Sequence, residues 1–180
     1  WGDIPIINAL TDLEHPCQIL ADFLTIKEEY GKFDDIVISY FGDGNNIANS
    51  LILCGAILGV KIKIGCPEDY KPDDAILQRS YQLCKKNKLI EIFHDPLEAI
   101  KDANVIYTDV WASMGQESLA LEKDKVFKDF SVNDELVQHA RENYIVLHCL
   151  PAYRGKEITD EVFECQKSRI FEQAENRMHA

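Results

Sequence analysis

Short apolar runs of four to six residues alternate along the chain with longer stretches in which apolar side chains recur every three or four positions. Buried runs separated by amphipathic segments predict a parallel sheet with helices on both faces. The pattern places strands at residues 36–41, 60–65, 89–93, 105–108 and 144–149, each containing Ile or Val, as a strand covered on both sides requires. Helix ends are punctuated between them: Pro16 in a first turn and Gly31 past a last one, Pro72 followed by Asp73 and Asp74, Asp95 before Pro96, and Ser131 to Asp134 spaced like a capping box. No repeat, low-complexity tract or internal linker interrupts the pattern. One doubly wound α/β domain, mainly parallel and Rossmann-like, is expected over residues 1–180.

Composition narrows the function classes. Hydrophobic residues at 46% and charged residues at 28% exclude disorder and a coiled coil. No apolar run approaches the roughly 20 residues that span a bilayer, and residues 1–7 lack a basic stretch leading into an apolar one, so neither export nor a membrane partner is expected. Nineteen Lys and Arg against 31 Asp and Glu give a net charge of −12, the wrong sign for gripping nucleic acid. The six cysteines form no C-x-x-C pair and no metal-site cluster, which reads as free thiols in a reducing cytoplasm with no metal. Trp rather than Met at position 1 is read as a piece of something longer.

In such a sheet ligands bind beyond the carboxyl ends of the strands, which singles out the loops after Phe41, Thr108 and Cys149. Gly42-Asp43-Gly44-Asn45-Asn46 opens a helix from about Ile47 to Leu58. A dinucleotide fingerprint would need a third glycine where Ile47 stands and an acidic residue closing the next strand, and has neither. A structural turn with Asn45 as helix cap and an amide pair that holds a carboxylate both remain open. Asp109 to Gly115 puts a carboxylate, the Ser113 hydroxyl and glycine-adjacent backbone N–H within one stretch. These groups suit a zwitterionic amino acid, although Asp near Ser is also common in ordinary turns. Cys149 ends a strand beside Pro151, where a thiol can face a ligand or simply fill space. His15-Pro16-Cys17-Gln18 sets an imidazole at a helix entry, suited to an anion or a polarised carbonyl. Arg177 by itself carries little.

Taken in order, His15-Pro16-Cys17-Gln18, Gly42 to Asn46, Asp109-x-x-x-Ser113-Met114-Gly115, His148-Cys149-Leu150-Pro151 and Ala174-Glu175-Asn176-Arg177 resemble the ornithine carbamoyltransferases from about Ile4 to the last residue. The resemblance implies the amino-acid-binding half of an enzyme that makes citrulline from L-ornithine and carbamoyl phosphate. It implies that Asn46, Asp109, Ser113 and Met114 hold ornithine, and that His15, Pro16, Cys17, Gln18, Cys149, Leu150 and Arg177 surround carbamoyl phosphate. Cys149, Asp109, His15 and Arg177 would then carry the catalysis. Transfer would be direct between two bound substrates, without a cofactor, in trimers or their multiples.

Such a reaction needs a polarised carbonyl, a stabilised oxyanion and a neutral δ-amine. No Ser-Thr-Arg-Thr-Arg phosphate motif occurs in these residues, and Tyr153 stands where many relatives have His. The expectation is a stable unit that is inactive without a preceding carbamoyl-phosphate domain. The competing expectation is a Rossmann-type module for NAD or S-adenosylmethionine, resting on Gly42 and Gly44.

Overall fold

Five parallel strands form one sheet in a computed structural model that describes residues 3–84, 89–112 and 117–180. They are β1 (Val37–Phe41), β2 (Lys61–Gly65), β3 (Ile90–Phe93), β4 (Val105–Thr108) and β5 (Ile145–His148), in the order β3-β2-β1-β4-β5. The expected strands are present but trimmed at their ends. Ile36 and Val60 are buried, yet their N–H groups turn back to the carbonyls of Phe33 and Gly55. Their apolar character reflects burial and not ladder pairing.

The helices are α1 (Pro16–Tyr30), α2 (Asn46–Leu58), α3 (Asp74–Leu83), α4 (Pro96–Ile100), α5 (Ala120–Val126), α6 (Asp134–Val137), α7 (Asp160–Phe163) and α8 (Ile170–Asn176). Side chains alternate across the sheet. Ile38, Tyr40, Ile62, Ile64, Tyr107 and Leu147 pack with apolar residues of α1, α2 and α3 on one face. Phe41, Ile106 and Val146 pack with residues of α4, α6 and α7 on the other. No helix among the described residues is long and apolar enough to cross a membrane.

Most of the predicted punctuation holds. Pro16 opens α1, and Gly31 ends it in the left-handed conformation at φ 71°. Asp73 and Asp95 cap α3 and α4 through their carboxylates. At α6 the cap is Asn133, which accepts from the Leu136 N–H at 2.9 Å, while Ser131 donates to the Lys156 carbonyl. The capping-box reading from Ser131 is therefore corrected: its hydroxyl is engaged by a loop that the local sequence does not contain.

β1 lies at the centre, with β2 on one side and β4 on the other, so the chain reverses direction of travel between β1 and β4. Loops leaving these two strands diverge and open a crevice. Gly44, in the loop after β1, donates its N–H to the Tyr70 carbonyl at 2.8 Å. A Cβ at Gly44 would overlap the Pro72 backbone nitrogen and come within 2.5 Å of the Lys71 carbonyl carbon. Backbone cannot swing aside as a flexible side chain can. Gly44→Ala is expected to cost about 1–3 kcal/mol, the usual range for overpacking, read as a lower urea midpoint at unchanged slope.

Candidate active site

A cavity of about 320 Å³ lies at the crevice, lined by His15, Asn46, Asp109, Trp111, Cys149 and Leu150 among others. The loops after β1, β4 and β5 thus meet at one rim together with the entry of α1. Asn45 accepts from the N–H groups of Ile47 and Ala48 and so caps α2. Its Nδ2 then donates to Asp109 Oδ2 at 2.8 Å, joining two of the loops. Cys149 Sγ donates to Asp109 Oδ1 at 2.9 Å, which joins the third.

Asp109 is 6% exposed, and its Oδ1 also accepts from the Val110 N–H at 2.8 Å. Three donors therefore occupy a carboxylate that offers about four lone-pair sites. Burial pushes the Cys149 thiol well above its ordinary range; the neighbouring Asp109 charge and the hydrogen bond to it push the same way, and Tyr107 opposes them. At neutral pH this sulfur is a thiol and not a thiolate, hence a donor and a poor nucleophile.

His148 lies on the opposite face of the sheet from Cys149. Its Nδ1 accepts from the Leu150 N–H at 2.9 Å, so the ring proton sits on Nε2 and points to Glu157 Oε1 at 3.1 Å. Glu157 Oε1 also accepts from the Tyr153 N–H at 2.6 Å, and both side chains are 1% exposed. The pair fixes the turn that presents Cys149 and Leu150, whose φ is 60°. Sequence reading overlooked Glu157, one acidic residue among 31 with no local signature.

The sequence-named residues divide by position. His15, Asn46, Asp109, Cys149 and Leu150 face the cavity, with Tyr153 at its edge. Asn46 Nδ2 is bonded to the Thr11 carbonyl at 2.8 Å. Pro16 lines a separate shallow groove, and Cys17 Sγ contacts the Asn8 carbonyl at 3.6 Å. Gln18 is 1% exposed and bonded to Asp22 at 2.8 Å. Arg177 is exposed at the end of α8, close enough to act electrostatically on His15 and Asp22. Ser113, Met114 and Gly115 lie outside the described residues.

His15 is half-buried, and burial lowers its pKa; Arg177 adds to the fall, while the Ala9 backbone and Asp109 oppose it. A neutral imidazole results, with Nδ1 buried and without a partner.

Asp109, His148 and Cys149 also offer three ligand atoms within 4.8 Å of one another. Each is committed to the hydrogen bonds above, so a metal there would have to dismantle the rim. The nucleotide reading fails on similar grounds. Ile47, at the position of the missing glycine, is a core residue, and the first N–H groups of α2 are already taken by Asn45, leaving no open cradle for a pyrophosphate.

Comparison with known proteins agrees with this geometry. The model of the aspartate/ornithine carbamoyltransferase Asp/Orn binding domain matches residues 34–180. The chain belongs to the aspartate/ornithine carbamoyltransferase family. The family's carbamoyl-P binding domain model matches residues 1–28, which end within α1. An ornithine carbamoyltransferase of Prochlorococcus marinus subsp. pastoris is 59% identical over 99% of this chain and 58% of its own length. One from Thermococcus kodakarensis is 50% identical over 100% of the chain and 58% of its own length.

The solved ornithine carbamoyltransferase of Pyrococcus furiosus superposes with a TM-score of 0.94 at 47% identity, covering 99% of this chain and 57% of that one. The anabolic enzyme of Campylobacter jejuni gives 0.92 at 39% identity, over 99% and 59%. The chain thus spans somewhat over half the length of these relatives. Its cavity is walled by both matched segments: Leu10 and His15 from the first, the remaining residues from the second.

Behind the rim, Asp22 is fully buried, and burial raises its pKa from 3.8 to about 6 against hydrogen bonds from Gln18 and Gln173, the nearby Tyr107 and the charge of Arg177. Cys54 and Cys149 are the other titratable groups that feel it. Between those two values the unfolded chain releases a proton that the folded chain keeps. The contribution of Asp22 to stability is therefore whole below about pH 4 and is lost as pH rises through 6, a change of up to about 3 kcal/mol. Asp22→Asn cannot ionise. Denaturant melts at pH 4 and pH 8 are expected to show the variant level with the parent at the lower pH and the more stable of the two at the higher.

Proposed function

We propose that this chain is the ornithine-binding part of an ornithine carbamoyltransferase, which passes the carbamoyl group of carbamoyl phosphate to L-ornithine to give L-citrulline and phosphate. In this reading it forms the site jointly with the rest of a carbamoyl-phosphate-binding domain. The observation that carries the reading is the single cavity shared by His15, Asn46, Asp109 and Cys149, in a chain 59% identical to an ornithine carbamoyltransferase.

The lone-pair site left on Asp109 takes the α-ammonium of ornithine, where a charge-assisted bond is strongest. Asn46, Ser113 and Met114 hold the α-carboxylate end. The δ-amine then lies against Cys149, and because the thiol's own proton is directed to Asp109, its sulfur lone pairs are left for an N–H. Ornithine's δ-ammonium, with an intrinsic pKa of about 10 by analogy with lysine, must lose a proton first. Desolvation in the cavity favours that loss.

The neutral amine attacks the carbamoyl carbon, the N–C bond forms, and phosphate leaves with the C–O electron pair and takes up the proton that the attacking nitrogen sheds. Neutral His15 donates to the carbamoyl oxygen, and Arg177 supplies positive charge for the developing oxyanion. Gln18 and the Leu150 carbonyl accept from the carbamoyl NH₂, with Pro16 and Cys17 shaping the same helix entry. A sulfur kept protonated supports direct transfer without a covalent intermediate, and the scheme calls for no cofactor. Six unpaired cysteines favour a reducing cytoplasm, and assembly as a trimer or its multiple, in arginine synthesis or breakdown, completes the proposal.

In the intact enzyme, Asp109→Asn and Cys149→Ala are each expected to lower kcat/KM for ornithine about 10- to 100-fold, matching the 1.5–3 kcal/mol of a charged hydrogen bond. A steady-state citrulline assay reads this, and near-normal rates in both variants would remove the assignment. The 180-residue chain alone is expected to give no citrulline.

A further inference from the structure

We propose that Asp22 is a positioning residue that locks the amide of Gln18 with its oxygen available to the carbamoyl NH₂; this rests on the reading of Gln18 given above. Gln18 and Asp22 are one turn apart on α1 and share a face. Gln18 Nε2 donates to Asp22 Oδ1 at 2.8 Å, and Gln173 Nε2 on α8 donates to the same oxygen at 2.6 Å. A carboxylate can only accept, so it forces both amides to turn their NH₂ groups inward and their oxygens away. The Gln173 oxygen turned away in this manner receives the His148 N–H at 2.8 Å.

The Gln18 oxygen receives nothing, although Gln18 is 1% exposed and Asp22 0%. A buried amide oxygen without a donor is rare in folded proteins and calls for a reason. Among the described residues of this helix and its entry, His15 Nδ1, three residues earlier, and Asp22 Oδ2, on the far side of the carboxylate from the two amides, are the other buried polar atoms without a partner. A neutral imidazole and an amide oxygen three positions apart at the entry of one helix can together complement a primary carboxamide, whose oxygen accepts and whose NH₂ donates. Without Asp22 the Gln18 amide could flip and present NH₂ to NH₂. One carboxylate thereby sets two amide orientations, one serving the β5 backbone and one serving the substrate.

The test is a double-mutant cycle in the intact enzyme, with citrulline formation measured against carbamoyl phosphate. Gln18→Ala and Asp22→Leu are each expected to lower kcat/KM for carbamoyl phosphate about tenfold or more, and the double variant to be no worse than the poorer single one. Asp22→Asn, which keeps an accepting oxygen, should retain activity within about threefold. Multiplied losses in the double variant, or full activity in Asp22→Leu beside an impaired Gln18→Ala, would overturn the proposal. An unimpaired Gln18→Ala would instead overturn the reading of Gln18 itself.

Should Asp22→Leu not fold, Gln18→Glu provides an independent arm. Two carboxylates then face each other and activity is expected to fall. Adding Asp22→Asn restores the missing N–H and should recover several-fold of the loss; no recovery counts against the proposal.

Discussion

The carboxylate of Asp109 receives hydrogen bonds from the end of β5, from the cap of α2 and from its own following residue, and these contacts hold the rim together. Parallel strands alone would leave the loops after β1, β4 and β5 free to part, since nothing in a ladder extends past its last pair. A buried carboxylate cannot be left bare, so each donor is held as firmly as the acid needs it. With burial, the same contacts keep sulfur protonated, and they draw Asn45 into the rim as well as the helix cap and leave one of the carboxylate's lone-pair sites unused.

A second polar seam runs between helices that lie at opposite ends of the chain. Besides the bonds to Asp22, Asn176 Nδ2 bridges Thr25 Oγ1 at 3.0 Å and Glu28 Oε2 at 2.7 Å. Arg169 adds an ion pair to Glu29 at 2.8 Å. These partners fall on one stripe of α1, while Ile19, Phe23 and Ile26 of the same helix enter the core. Apolar contacts would hold the two helices at many registers. The directional bonds select one, and so fix where α1 delivers His15 and Gln18.

Much of this was legible before the structure. The strands stood out because a strand buried on both faces must be apolar throughout, and the loops beyond their ends followed from the architecture. Asn45 was readable as a cap, but its second bond, to a residue 64 positions away, was not, because one side chain's two ends answer to different partners. Glu157 was invisible for a related reason: its meaning comes from a histidine on a neighbouring strand. The pairing of Gln18 with Asp22 sits at ordinary helical spacing and became informative only when one oxygen was found empty. The Ser131 spacing suggests a cap, but its hydroxyl donates to the Lys156 carbonyl, 25 residues downstream and out of reach of any local pattern.

The guarded state of Cys149 has a consequence for durability. Electrophiles and peroxides react with thiolates, and a sulfur that is buried, protonated and hydrogen-bonded to a carboxylate gives them little to attack. Damage would fall first on the less enclosed thiols of Cys17, Cys54, Cys84 and Cys165, which stand away from the cavity lining. The architecture that keeps this sulfur protonated thereby also shelters it from oxidative wear.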